Sequence, residues 1–167
     1  MSLLEIRLFG EPSFSYDGTP WRFAPPPRAL PLLVYLALRP GTPVLRARLA
    51  ALLWPDDAEE TARANLRRHL HQLQKALPPG TPWISVDTTS VCWNSAAAAR
   101  VDVVEFERLA RDDASQAEAA QLYRGDLAEP LYEEWIIGER ERLRGIQLDL
   151  LYALGNRARI ARFCKCR

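Results

Sequence analysis

Between Glu59 and Leu77 apolar residues recur at helical spacing: Leu66, Leu70, Leu73 and Leu77, with Ala62 one turn earlier. At about 100° per residue they form one stripe. The opposite side collects Thr61, Ala64, Arg68, His71, Gln72 and Lys75, with Arg63 and Arg67 on one flank and Asn65 on the other. The pattern predicts an amphipathic helix over 59–77. Asp57 and Glu60 have capping-box spacing, a carboxylate standing in for Ser or Thr. Pro78-Pro79-Gly80 marks the end.

Upstream, Leu4 to Leu8 alternates and predicts a strand; Phe14-Ser15-Tyr16 and Trp21-Arg22-Phe23 predict two more, joined by a hairpin turn at Asp17-Gly18. Pro25, Pro26 and Pro27 end that sheet. Arg28 to Leu38 predicts a helix with Pro31 in its first turn, where a missing N–H is tolerated, and Pro40-Gly41 stops it. Arg46 to Trp54 predicts a second helix, with Leu49, Leu52 and Leu53 inward and Arg46 and Arg48 outward. Trp83 to Val86 and Val91 to Trp93, joined by Asp87-Thr88-Thr89-Ser90, predict a β-hairpin. The Ala-rich stretch Ser95 to Arg100 reads as a linker.

From Val101 onward the pattern is helical. Asp102 is placed to cap a helix holding Val103, Phe106 and Leu109; Gln116 to Tyr123 predicts a second, stopped at Gly125; Glu133 to about Ala158 predicts a long third. Near its end Ile146, Leu148, Leu150, Leu151, Tyr152 and Leu154 spread around most of the cylinder. A helix of this kind needs neighbours on several sides. Ile146, Leu150, Leu151 and Leu154 are therefore interface candidates, to be covered by a second copy in a homodimer or by further helices. On this reading the chain is a fragment or a shortened member of its class.

Composition changes this picture little. The 167 residues, 48% hydrophobic and 26% charged, suit one ordinary domain or two small ones. The net charge of +1 covers ten Lys and Arg against eight Asp and Glu up to Ser95, and twelve against thirteen beyond it. Nucleic-acid contact would have to rest on local charge. Met1-Ser2-Leu3-Leu4 meets charge at Glu5 and Arg7, unlike a signal peptide, and no apolar run reaches membrane-spanning length. Cys92, Cys164 and Cys166 are an odd set with no disulfide framework, which suits a reducing cytoplasm. Cys164-Lys165-Cys166 alone is too little for a metal site.

The polar side of the 59–77 helix carries cations, amides and an imidazole, groups that suit phosphates and base edges in the major groove. A solvated, arginine-laced helix face is the plainer reading of the same pattern. His69 and His71 stand two apart and do not share a face, so no metal pair is expected. Trp54 and Trp93 read as core anchors, Arg124-Gly125-Asp126 as a helix stop, and Glu139-Arg140-Glu141-Arg142 as a solvated face with local charge pairs. Phosphate-loop, metalloprotease and nucleophile motifs do not occur, so neither an enzyme nor a cofactor is expected.

Taken in order, strands, three helices and a hairpin make the pattern of a winged helix. Here the chain resembles the SARP/AfsR-type bacterial transcriptional regulators. LEIRLFG at Leu4 with Asp17-Gly18, RALPLLVYLAL at Arg28, LAALLWP at Leu49 and ARANL at Ala62 resemble the family's opening sheet and three helices. VDVVEFERL at Val101, YRGDL at Tyr123 and WIIGERERL at Trp135 resemble landmarks of its activator domain. The resemblance implies an α+β winged-helix domain over 1–95, with a small antiparallel sheet, three helices and a β-hairpin wing. An all-α, tetratricopeptide-like activator domain, partial here, follows over 100–167. It further implies a cytoplasmic, double-stranded-DNA-binding transcription regulator whose second domain self-associates or contacts RNA polymerase. Thr61, Asn65, Arg68, His71 and Gln72 are the base-edge candidates, and Arg46, Arg48, Arg63, Arg67 and Lys75 the phosphate candidates. Thr88, Thr89 and Ser90 would be the wing. The chain departs from the family pattern at Gln72 and Gln74, where basic residues are usual, at Leu45, where a Ser or Thr cap is usual, and in a hairpin without Lys or Arg from Trp83 to Trp93. Those departures support the alternative, a protein–protein interaction module whose winged helix no longer binds DNA.

Overall fold

The computed structural model describes residues 2–165, with side chains through Arg157 in the last helix. Among the described residues the chain is mixed α/β, with two small sheets and six helices. It divides into two compact units: Met1–Arg7 with Ser13–Val101, and Leu8–Pro12 with Asp102–Arg167.

In the first unit, β1 (Leu4–Arg7) pairs antiparallel with β2 (Ser13–Tyr16), Leu4 opposite Tyr16. Asp17 and Gly18 both take positive φ, 49° and 76°, the conformation of a tight hairpin turn matched to strand twist. The third strand is not Trp21–Phe23 as the alternation predicts, but β3 at Thr19–Pro20. The Trp21 N–H still reaches the Phe14 carbonyl, but the Phe23 N–H turns back to the Trp21 carbonyl and the ladder ends. Trp21 instead donates its indole N–H to the carbonyl of Ala76, and the Phe23 ring packs on Phe14. The Ala-rich segment expected as a linker supplies β7 (Ala99–Val101), parallel to β1 with Ile6 opposite Val101. Its small side chains leave the backbone free to pair with β1, whose N–H and C=O groups would otherwise lack partners.

Three helices build the core of this unit: α1 (Ala29–Ala37), α2 (Arg46–Leu53) and α3 (Glu59–Ala76). Leu32, Leu33 and Leu36, Leu49 and Leu53, and Ala62, Leu66, Leu70 and Leu73 are buried. Each large side chain so covered contributes about 1.5–3 kcal/mol. The capping box does not form: Ala58 is the N-cap without a side-chain bond, and Asp57 faces Asn65 instead. β5 (Ile84–Val86) and β6 (Ser90–Trp93) form the expected hairpin, and β4 (Val44–Leu45) adds a third strand to it. Trp93 at the end of β6 and Trp83 just before β5 are buried, with their rings stacked; Trp54 is buried against His69.

The second unit holds α4 (Asp102–Ala110), α5 (Gln116–Leu122) and α6 (Glu134–Lys165). The Asp102 carboxylate accepts the N–H of Val103, and also those of Leu8 and Phe9, which brings the segment Leu8–Pro12 into the unit. Phe9 packs edge-on to Phe106 at 5.2 Å and against Tyr123 at 4.8 Å. Gly125 does more than stop a helix, since a Cβ there would lie 3.1 Å from the Cα of Gly10.

α6 buries Ile136, Leu143 and Leu150, spaced at seven. Of the interface candidates, Leu150 is thus in the core, because it continues this seam; Ile146 and Leu154 are half-buried, and Leu151 is exposed beside Leu148 and Tyr152. Arg140 is not part of a solvated face. Its guanidinium donates to the carbonyls of Leu127, Ala128 and Leu131, gathering the turn before α6. Arg142 does pair locally with Glu139, and also with Glu107. The side chains of Cys164 and Cys166 lie outside the described residues. No described helix is long and apolar enough to cross a membrane.

Candidate nucleic-acid interface

Packing of its leucine stripe leaves α3 with one outward face. Thr61, Ala64, Arg67, Arg68, His71 and Lys75 are exposed on it. His69, two residues before His71, is buried, with Nδ1 bonded to the Asn65 carbonyl at 2.8 Å. That settles the sequence expectation that the two histidines face different ways.

Beside α3 the start of α2 and the tip of the β5–β6 hairpin are tied together. The Arg46 N–H donates to the Thr89 carbonyl, and the Arg46 guanidinium to the Asp87 carbonyl at 3.1 Å. Leu45 pairs with Ser90 and caps α2 without a side-chain bond. The first turn of α2 therefore carries Arg46 and Arg48, no carboxylate and no side-chain cap. A helix N-terminus in that state favours an anion. Between these elements opens a cleft of about 760 Å³, walled by Arg46, Arg63, Arg67, Thr88 and Thr89. Among the described residues Glu60 is the one acidic residue on its wall, and Leu45, 61% exposed, its largest exposed apolar group.

The hairpin tip is held by Asp87. Its carboxylate accepts the backbone N–H groups and the hydroxyls of both Thr89 and Ser90. These bonds, the Ser90 hydroxyl first, hold the carboxyl far below the usual carboxylate range. Of the three wing candidates, Thr89 and Ser90 thus have their hydroxyl protons committed, and Thr88 is exposed at the tip. Asp87 opens the expected wing loop, and the sequence pattern assigns it no role of its own there. An Asp followed two and three residues later by Thr and Ser is the signal that points to such a turn.

The base-edge candidates divide in two. Thr61, Arg68 and His71 are exposed; Asn65 and Gln72 are half-buried. Asn65 donates to Asp57 and accepts from Arg68, both at 2.9 Å. The Gln72 Oε1 is buried without a hydrogen-bond partner. Among the phosphate candidates, Arg63 pairs with Glu59. Arg48, Arg67 and Lys75 form no ion pair among the described residues.

No protein-family model matches the sequence. No curated protein matches it either. Among solved structures the chain is similar to Mycobacterium tuberculosis EmbR in complex with a low affinity phosphopeptide, with a TM-score of 0.69 at 17% identity. The similarity covers 90% of this chain and 44% of that one, so the chain spans less than half the length of the structure it matches. At that identity the likeness is one of fold.

Proposed function

We propose that the chain is a SARP/AfsR-like transcription regulator of the cytoplasm that binds double-stranded DNA. In this reading the first unit is a winged helix. α3 enters the major groove with Thr61, Arg68 and His71 toward base edges, and the β5–β6 hairpin is the wing. Arg46, Arg48, Arg63, Arg67 and Lys75 hold phosphates. The second unit serves as a partial, tetratricopeptide-like activator domain, for self-association or contact with RNA polymerase. The likeness of fold to EmbR supports a regulatory role. The observation that carries the DNA reading is the outward face of α3, where Arg67 and Lys75 have no carboxylate partner among the described residues beside a cleft walled by three arginines.

Fluorescence anisotropy with labelled duplexes, repeated at several salt concentrations, tests it. With about five phosphate contacts, log K should fall against log salt with a slope of roughly −4 to −5. Absence of duplex binding at low salt overturns the reading. The interaction-module alternative is favoured by Glu60 and exposed Leu45 in the cleft and by a hairpin without Lys or Arg. It would then take the same surface for a protein partner.

A further inference from the structure

We propose that Asp57 and Asn65 are positioning residues that set Arg68 to read guanine, and that Asn65 does not itself read a base. This rests on the DNA-binding reading above and names the specificity of the same face. An unengaged Asn on a helix in the major groove would pair bidentately with adenine, turning Oδ1 and Nδ2 to one base edge. Asn65 cannot do so without breaking two bonds: Nδ2 donates to Asp57 Oδ2 and Oδ1 accepts from Arg68 Nη2. The orientation of the amide follows from its partners. A carboxylate only accepts and a guanidinium only donates, so one orientation alone satisfies both.

The chain of bonds runs from an anchor to a reader. Asp57 precedes α3 and is exposed. Asn65, half-buried, is tied to it across eight residues. Arg68, exposed, is held one turn further on along one edge of its guanidinium. Its remaining N–H groups have no partner among the described residues. They match the two acceptors of guanine, O6 and N7, which arginine contacts more often than any other base edge. Holding the long side chain before binding removes part of the ordering entropy that a loose arginine would lose on contact. A loose arginine would also reach a phosphate as readily as a base.

Selection from randomised duplexes by the full chain tests the proposal, followed by anisotropy on the selected site and on the same site with one guanine replaced by adenine. Wild type should prefer guanine at one position by roughly ten- to a hundredfold, and Arg68→Ala should lose that preference. Asp57→Ala should weaken it about three- to tenfold without weakening binding to random duplex. Asp57→Asn keeps an acceptor for the Asn65 amide and should retain the preference. Unchanged thermal melting of the Asp57 variants, both at an exposed position, shows that folding is not the cause. Full guanine preference in Asp57→Ala overturns the proposal, as does an adenine preference that disappears in Asn65→Ala. In either case DNA binding by wild type leaves the functional reading standing. If wild type binds no duplex, that reading falls and this one with it.

Discussion

α3 and α6 are both arginine-bearing helices, and they use the cation in opposite ways. In α6 the described guanidiniums are engaged by the unit that contains them. Arg140 donates to three carbonyls, Arg142 pairs with Glu107 and Glu139, Arg144 with Asp126 and Arg157 with Asp113. In α3, Arg63 has only its exposed neighbour Glu59, Arg68 is held by a neutral amide, and Arg67 and Lys75 have no carboxylate partner among the described residues. An arginine committed to local carbonyls and carboxylates has little left for an outside anion. One without them retains its full charge and its donors. Two helices of similar composition thus leave their cations in different states, engaged in α6 and largely open in α3.

The comparison requires α3 to be packed on one side only, and the largest expected effect tests that. Leu70→Ala should lower stability by about 2–5 kcal/mol, measured by denaturant unfolding, because Leu70 is buried in the stripe. Near-wild-type stability would mean that the leucine stripe is not the packed side of α3. Next comes Arg140. Its truncation removes three charge-assisted bonds and leaves three carbonyls to find water, so Arg140→Ala should cost about 2–3 kcal/mol. Arg140→Lys should recover less than half of that, because a point charge cannot replace the fork. Full recovery by Lys would show that charge, not geometry, holds the turn.

The two helices also differ in how well their roles could be read from sequence. The leucine stripe of α3 fixed its inward side, and the exposed candidates followed by subtraction. Arg140 is not legible in this way, because Glu139-Arg140-Glu141-Arg142 suggests pairs along the helix. Its real partners are carbonyls nine to thirteen residues earlier, and no periodicity encodes a loop folding back. The Ala99–Val101 strand is hidden for a related reason: its partner lies at the other end of the first unit's sequence, and small residues carry no alternation. Leu150 reads as an interface candidate, not as core, because the spread of apolar groups hides which three form the seam. Asn65 was legible as a polar flank residue, but its tie to Asp57 depends on the cap failing to form.

Affinity gives the most direct comparison. Arg67→Ala should weaken duplex binding roughly three- to tenfold near 0.1 M salt and flatten the salt slope by about one unit. Arg142→Ala removes the same formal charge from a guanidinium already paired with two carboxylates, and should change the slope by much less than one. Equal slopes for the two variants would mean that total charge, not partner state, governs binding.

The smallest expected effect concerns the anions that hold the cations of the second unit. Asp126 accepts from Arg144 and from the Tyr123 hydroxyl, and these bonds, Arg144 first, lower its pKa. A carboxyl with a lower pKa in the folded state than in the unfolded chain stabilises the fold above its unfolded value of about 3.9. That contribution disappears as pH falls through the folded value. Because Arg144 is exposed and Asp126 only part-buried, solvent screens the pair and the effect is modest. In urea titrations between pH 6 and pH 2, Asp126→Asn should therefore be somewhat less stable than wild type at pH 6 and lose less on acidification. Asp87 has the same sign of shift from hydroxyl and amide donors rather than from a cation. Added salt should accordingly shrink the Asp126 difference and leave that of Asp87→Asn nearly unchanged. If salt shrinks both differences alike, the contrast between an ion pair in one unit and a neutral-donor turn in the other does not hold.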